Sequence, residues 1–252
     1  GLLRGSFIPP AHIRHLRLIA RQRQKLGGML VSEKNRLHKI LSDAGIRLGV
    51  LVSDIHGQAA RLMIKAIIAG KPMASVLDLA GRLRASRSEL FEALQPEELS
   101  AAHLFVLDEI MTHIEEIEAR MGRFEQMLLQ GLSVWQPQLT LLQTIPGIDQ
   151  MGAAMLLVEI STDMDSFGSA EKLASWVGIS PGNNESAGKR KSGKTRKGNA
   201  WVRRLLCEFA QAASRSRCAR CDHRCLATGW RCQKIACAPQ STGKKRRDPL
   251  LA

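Results

Sequence analysis

Tyrosine is missing altogether, and Phe and Trp bring the aromatic content to only 4% of 252 residues. With 44% apolar residues the chain has material for a core, but that core must come from Leu, Ile, Val, Met and Ala, which favours packed helices over a sheet. No apolar run approaches the roughly 20 residues needed to span a bilayer. The basic part of the chain also lacks the alternating aromatic and Leu face of an interfacial helix, so no membrane partner is expected. The start, GLLRGSFIPP, has neither a hydrophobic signal region nor an initiator Met, and the expectation is a cytoplasmic chain, truncated at its N-terminus. Cysteine is absent from the first 206 residues. All six cysteines fall between Cys207 and Cys237, and disulfides are not expected in a reducing cytoplasm.

Acidic residues are scarce where positive charge is dense. Up to Ser180 the chain balances 19 Lys and Arg against 19 Asp and Glu, whereas from Pro181 onwards there are 18 against 4. The net charge of +14 is therefore confined to the last third of the chain. Its densest part, SPGNNESAGKRKSGKTRKGNAWVRRLL, carries Lys189, Arg190, Lys191, Lys194, Arg196, Lys197, Arg203 and Arg204 with no carboxylate between them. Gly188, Gly193 and Gly198 would let its backbone approach a ligand closely. Such a segment is either a solvated charge run or the electrostatic footprint of a nucleic-acid binder, in which released counterions drive association. The confinement of charge favours the second.

The first 133 residues read as helices. Apolar residues at Ile13, Leu16, Ile19, Leu26, Leu30, Leu37 and Ile40 recur close to heptad spacing and predict one long helix ending near Asp43-Ala44-Gly45. Leu107, Ile110, Ile114, Ile117, Met121, Phe124 and Leu128 predict a second, with Glu115, Glu116, Glu118 and Arg120 facing away. The two are expected to pair as a coiled-coil hairpin whose seam could also carry homo-oligomerisation. Ala59 to Ala69 and Ser75 to Arg84 predict shorter helices, separated by Gly70-Lys71-Pro72. The histidines at 12, 15, 38, 56, 103 and 113 lack the Cys or carboxylate spacing of a metal site, and no metal ligands are expected.

Further on, LLQTIPGI followed by a helical run from Gly152 to Ile160 has the form of a helix-hairpin-helix. In that motif the turn and the second helix's N-terminus offer backbone N–H groups to a DNA phosphate. Pro146, Gly147 and Ile148 are the residues expected to dock. Asp149 stands where the motif usually has a second glycine, and its carboxylate would repel a phosphate. Asp149, Asp163 and Asp165 are explained by turn and cap chemistry.

Taken in order, the hairpin LLQTIPGIDQMGAAMLLVEI, the link DSFGSAEKLASWVGISPGNNESAGKRKSGKTRKGN and the helix AWVRRLLCEFAQAA resemble the bridge-RNA-guided insertion-sequence transposases of the 110/1111 (116/110/902) group. The resemblance runs roughly from Gly1 to Ser214. It implies an RNase-H-like domain with four metal-binding acidic residues, then a coiled-coil region, then a C-terminal domain whose serine attacks the DNA backbone. That serine corresponds to Ser186, with Ser192 as the fallback. A Ser hydroxyl needs its proton removed to act, and nearby Lys and Arg would stabilise charge on the phosphoryl oxygens. Lys189, Arg190 and Arg196 lie close in sequence. The acidic domain would precede Gly1, so Mg²⁺ is expected only with that domain and no cofactor is expected in this chain. The implied partners are DNA and a guide RNA, and the chain alone is expected to bind without cleaving.

The tail, RCARCDHRCLATGWRCQKIACAPQSTGKKRRDPLLA, has no helical period. A zinc site would draw on Cys218 and Cys221 with Cys225, Cys232, Cys237 or His223. A disordered basic tail is the reading its irregular spacing favours. The expectation is thus a mainly α protein, with a helical coiled-coil region over 1–133, a transposase-like domain with the serine loop over 134–215 and a disordered tail over 216–252. A non-catalytic helix-hairpin-helix protein that clamps nucleic acid is the alternative.

Overall fold

The computed structural model describes residues 8–81, 83–95, 99–182, 184–195 and 197–215, with the backbone alone at 184–186 and 190–192. The Cys and His residues of the zinc reading, the expected disorder of 216–252 and the whole of Arg196 lie outside the described residues. In chain order the elements are α1 (Ala11–Asp43), α2 (Leu48–Leu51), α3 (Gln58–Ile68), α4 (Met73–Asp78), α5 (Arg87–Leu94), α6 (Ala101–Gly131), a 3₁₀ turn (Ser133–Trp135), α7 (Gln136–Gln143), α8 (Gln150–Ile160), α9 (Ala170–Val177), β1 (Asn184–Ser186), β2 (Lys189–Ser192) and α10 (Ala200–Arg215). The protein is mainly helical, as the composition requires. The expected serine loop is not irregular: it folds into the small antiparallel hairpin of β1 and β2.

The chain divides into two compact units, one of Gln22–Glu125 and one of Gly1–Arg21 with Gln126–Ala252. Ile13, Leu16 and Ala20 of α1 are buried, and Leu16 and Ala20 belong to the same apolar cluster as α8 and α10.

In the 22–125 unit, Leu37, Leu41, Met63, Ile64, Leu90, Leu94, Leu107, Met111 and Ile114 form the centre of the core. The periodic stripes of α1 and α6 supply much of it. The two helices run antiparallel here, with Arg23 on Glu125 at 2.7 Å, Lys34 on Glu118 at 3.8 Å and His113 on Glu33 at 3.7 Å. Their pairing is not an isolated two-helix seam. Arg61 of α3 grips Glu118 with two hydrogen bonds, of 2.7 and 2.5 Å, and Lys65 meets Glu115. The α6 face at Glu115 and Glu118 therefore also carries a third helix. Helix α5 begins with a capping box in which the Ser86 hydroxyl accepts from the Glu89 amide and the Glu89 carboxylate accepts from the Ser86 amide.

In the other unit, α8 is buried from Gly152 to Glu159. A sequence apolar all round, MGAAMLLVEI, has no solvent face and becomes the central helix. Leu139, Ile148, Val177, Ile179, Val202, Leu205 and Phe209 pack in the same cluster. Asp149 caps α8, its Oδ1 accepting from the Gly152 amide at 2.7 Å, and Asp163 accepts from the Asp165 amide and the Ser166 hydroxyl. Both acids thus have the cap and turn roles their positions predict. Helix α9 starts at the Ser169 cap and stops at Gly178, which adopts the left-handed conformation (φ 80°).

Candidate nucleic-acid interface

Between the end of α9 and the start of α10 the chain makes one excursion, and it holds the cationic segment. Pro181 bridges Thr195, and the Gly182 amide donates to the Lys194 carbonyl at 3.0 Å, closing the base. Beyond the base, Asn184 pairs with Ser192, Glu185 with Arg190 and Ser186 with Lys189, with a bulge between Asn184 and Glu185. The tip is the two-residue turn Ala187-Gly188, both with positive φ (53° and 73°). That is the type I′ geometry whose twist suits a tight hairpin. Ser186 therefore stands at the last paired position before the turn, opposite Lys189, and Arg190 stands opposite Glu185. The structure brings the candidate nucleophile and two of its candidate cations to one end of a hairpin.

The side chains of Lys189, Lys194 and Lys197 are exposed, as a polyanion contact requires. Arg204 on α10 is half-exposed and pairs with Glu208 one turn on at 2.9 Å, while Arg203 is partly buried. Ser186, Arg190, Lys191 and Ser192 are placed by their backbone alone.

The return from the hairpin is locked. A side chain at Gly198 would lie 2.4 Å from the carbonyl of Val177 and 2.5 Å from the Gly178 amide nitrogen, so only glycine allows this approach. Asn199 follows. Its backbone N–H donates to the Trp176 carbonyl, its Oδ1 accepts from the Trp201 and Val202 amides at the start of α10, and its Nδ2 donates to Glu159 Oε2 at 3.2 Å. Glu159 lies near the end of α8 with only 4% of its surface exposed. Arg21 of α1 forks onto it, Nε to Oε1 at 2.7 Å and Nη2 to Oε2 at 3.0 Å, and lies 5.4 Å from the centre of the Trp201 ring. Arg17 donates to the Val158 and Glu159 carbonyls at the α8 C-terminus and stands 3.6 Å from the same carboxylate. Burial holds the Arg17 guanidinium below its ordinary pKa; Glu159 opposes that shift and Arg21 adds to it. These four residues carry no motif signature. Their one sequence signal was a single carboxylate inside an otherwise apolar helix, which must find cationic or hydrogen-bonding partners once buried.

The Pro146-Gly147-Ile148 turn sits elsewhere. Gly147 has φ 88°, and a Cβ there would lie 2.5 Å from the Phe209 carbonyl oxygen and 2.7 Å from the Ala213 nitrogen, so the turn closes on α10. Ile148 is buried and its N–H donates to the Ile145 carbonyl. Proline has no N–H, and the Asp149 carboxylate already occupies the Gly152 amide of α8. The turn thus packs against α10, with the Ile148 and Gly152 amides already engaged.

Divalent metal would need oxygen ligands. Among the described residues no group of three or more His, Cys, Asp or Glu side chains is placed to hold an ion, and Glu159, the buried carboxylate at the hairpin's base, is filled by Arg21 and Asn199. The described residues do not fit an Mg²⁺ site.

Residues 139–224 match the sequence model of the transposase IS116/IS110/IS902 family. The match covers about a third of the chain, begins in α7 and spans the whole hairpin and α10. It supports placing this region with that transposase group. No curated protein matches the chain.

Proposed function

We propose that the chain serves DNA transposition, and that its glycine-punctuated hairpin grips the sugar-phosphate backbone while Ser186 attacks it. The observation that carries this reading is the hairpin itself: a cationic segment free of carboxylates from Lys189 to Arg204, folded and fixed at its base, inside the region that matches the transposase family. A solvated charge run would need no such anchoring. In the attack, a bond forms from Ser186 Oγ to phosphorus as the bond from phosphorus to the departing deoxyribose oxygen breaks. The hydroxyl proton leaves to a base and the departing oxygen takes one up, while lysine and arginine stabilise the charge on the phosphoryl oxygens. The resemblance extends the reading to a guide RNA as second partner and to self-association. The metal-binding acidic residues it calls for are not supplied by this hairpin, so the purified chain is expected to bind DNA without cutting it.

Two measurements test this. Duplex affinity measured by fluorescence anisotropy should fall with salt, with a slope of about −0.9 per phosphate contacted. Replacing Lys189, Lys194 and Lys197 by Ala should flatten that slope by roughly two to three contacts. Absence of salt-sensitive affinity at low ionic strength overturns the proposal. In an active transposition assay, Ser186→Ala should abolish the covalent protein–DNA adduct and leave duplex affinity within about twofold; unchanged strand exchange would make the hairpin a clamp without a nucleophile.

A further inference from the structure

Resting on that reading, we infer that Glu159 is a positioning residue, which sets the pose of the cationic hairpin by holding Asn199 through its buried carboxylate. No step of the proposed chemistry uses this carboxylate, yet it is enclosed in the most buried helix of its unit and met by three polar side chains.

The reason lies in which way Asn199 must face. Its Oδ1 is committed to the Trp201 and Val202 amides at the start of α10, so its Nδ2 can only donate outwards, and only an acceptor can meet it. Glu159 Oε2 is that acceptor, and the same oxygen also receives Arg21 Nη2. A carboxylate, with two acceptor oxygens, receives both arms of the Arg21 fork together with Asn199, whereas an amide would turn its NH2 onto one of these donors. Asn199 in turn is the point at which the strand returning from the hairpin becomes α10, immediately after the glycine that closes on Val177.

Beyond the base, the strand from Asn184 to Ser186 carries the hairpin about 10 Å further at roughly 3.3 Å per residue. A small rotation at Asn199 is therefore magnified at Ser186 and Lys189. Arg17 and Arg21 complete the device by fixing Glu159 and the end of α8 on which it sits.

Reversing the hydrogen bond tests this. Glu159→Gln offers one oxygen where two are needed, and Asn199→Asp sets two carboxylates against each other. In the double variant the carboxylate introduced at position 199 still caps α10 and accepts from the amide introduced at position 159, so polarity is reversed and the contact restored. Asn199→Ser keeps a capping oxygen but drops the link to Glu159, and decides the matter if Glu159→Gln does not fold. Each protein is compared by amide hydrogen exchange at Gly182 and at position 199 and by duplex affinity over a range of salt.

The single variants should exchange at least tenfold faster at those two amides, bind duplex at least tenfold more weakly and lose about one to two phosphate contacts from the salt slope. The double variant should recover to within about threefold. Folded single variants with unchanged exchange and salt slope, or a double variant no better than the worse single one, would overturn the inference. If the unaltered protein fails to bind duplex, the transposition reading falls, while the exchange measurements still decide the role of Glu159.

Discussion

Glu118 and Glu159 each face two cationic side chains, but what surrounds them differs. Glu118, in the 22–125 unit, keeps a third of its side chain in water and shares Arg61 and Lys34, which are themselves 21% and 29% exposed. Glu159 has 2% of its side chain exposed and meets Arg17, Arg21 and Asn199. Water can replace a lost partner at Glu118, because both sides of the pair reach solvent. At Glu159 it cannot, so removing one member strands the others. An ion pair on a helical surface is thus optional, whereas the buried one ties the folding of its unit to the shape of the hairpin base.

The largest expected effect breaks or confirms this contrast directly. Glu159→Ala leaves Arg17 and Arg21 facing a cavity without a counter-charge and should cost about 3–5 kcal/mol, as breaking buried pairs does. Glu118→Ala should cost about 1 kcal/mol or less, within the range of partly exposed pairs. Urea unfolding of the two variants beside the unaltered protein measures both. Equal losses would mean that exposure does not separate these sites.

What was legible in the sequence follows the same divide. Periodic apolar stripes announced α1 and α6, a helical run after the Pro-Gly turn announced α8, and α10 was read through the family resemblance. The stop of α1 was marked by Gly45, which has positive φ. Helix α5 was missed although Ser86 and Glu89 spell its capping box, and α2 is too short to show a period. The cationic segment was read as a loop because its turn, Ala187-Gly188, lacks the Asn-Gly signal of a type I′ hairpin. The cluster around Glu159 could not be foreseen in detail, because its members come from positions 17, 21, 159 and 199. Only the fold brings them together; sequence shows a lone glutamate and no partner. The pairing of Glu118 with Arg61 could not be read for a related reason, since nothing local to α6 announces Arg61 of α3.

Acid sharpens the comparison at a smaller scale. The hydrogen bonds from Arg61 hold the Glu118 carboxyl below its ordinary pKa, against the opposing effect of partial burial, with Arg61 and Lys34 charges assisting. A carboxyl whose folded pKa is depressed contributes its stability fully above the unfolded value of about 4.3, and that contribution disappears as pH falls through the lower folded value. Glu118→Gln should therefore be less stable than the unaltered protein at pH 7, by about 1 kcal/mol or less at low salt. The difference should shrink as pH falls below the unfolded value and vanish once it is below the depressed folded one. Glu89, Asp163 and Glu171 are also held low by Ser86, by Ser166 and by its own backbone with Ser169 respectively, and they titrate identically in both proteins. A pH-independent gap between the two would show that the charge of Glu118 is not what stabilises the pair.

The smallest effect lies at the hairpin tip. Ala187 adopts φ 53°, where a side chain crowds its own backbone and where Asn is tolerated better than Ala. Ala187→Asn should stabilise the turn by about 0.5 kcal/mol, slowing hydrogen exchange at the Lys189 amide, which lies opposite Ser186 across the turn, about twofold. Ala187→Val should quicken it, because a β-branched side chain is worse still at positive φ. Neither substitution should move exchange at Asn199 if the base is held by Glu159, since tip and base are then fixed by separate interactions. Exchange at Asn199 that follows the tip variants would mean that the base is held by the hairpin's own pairing instead, and the contrast between an optional and an indispensable carboxylate would no longer reach the candidate site.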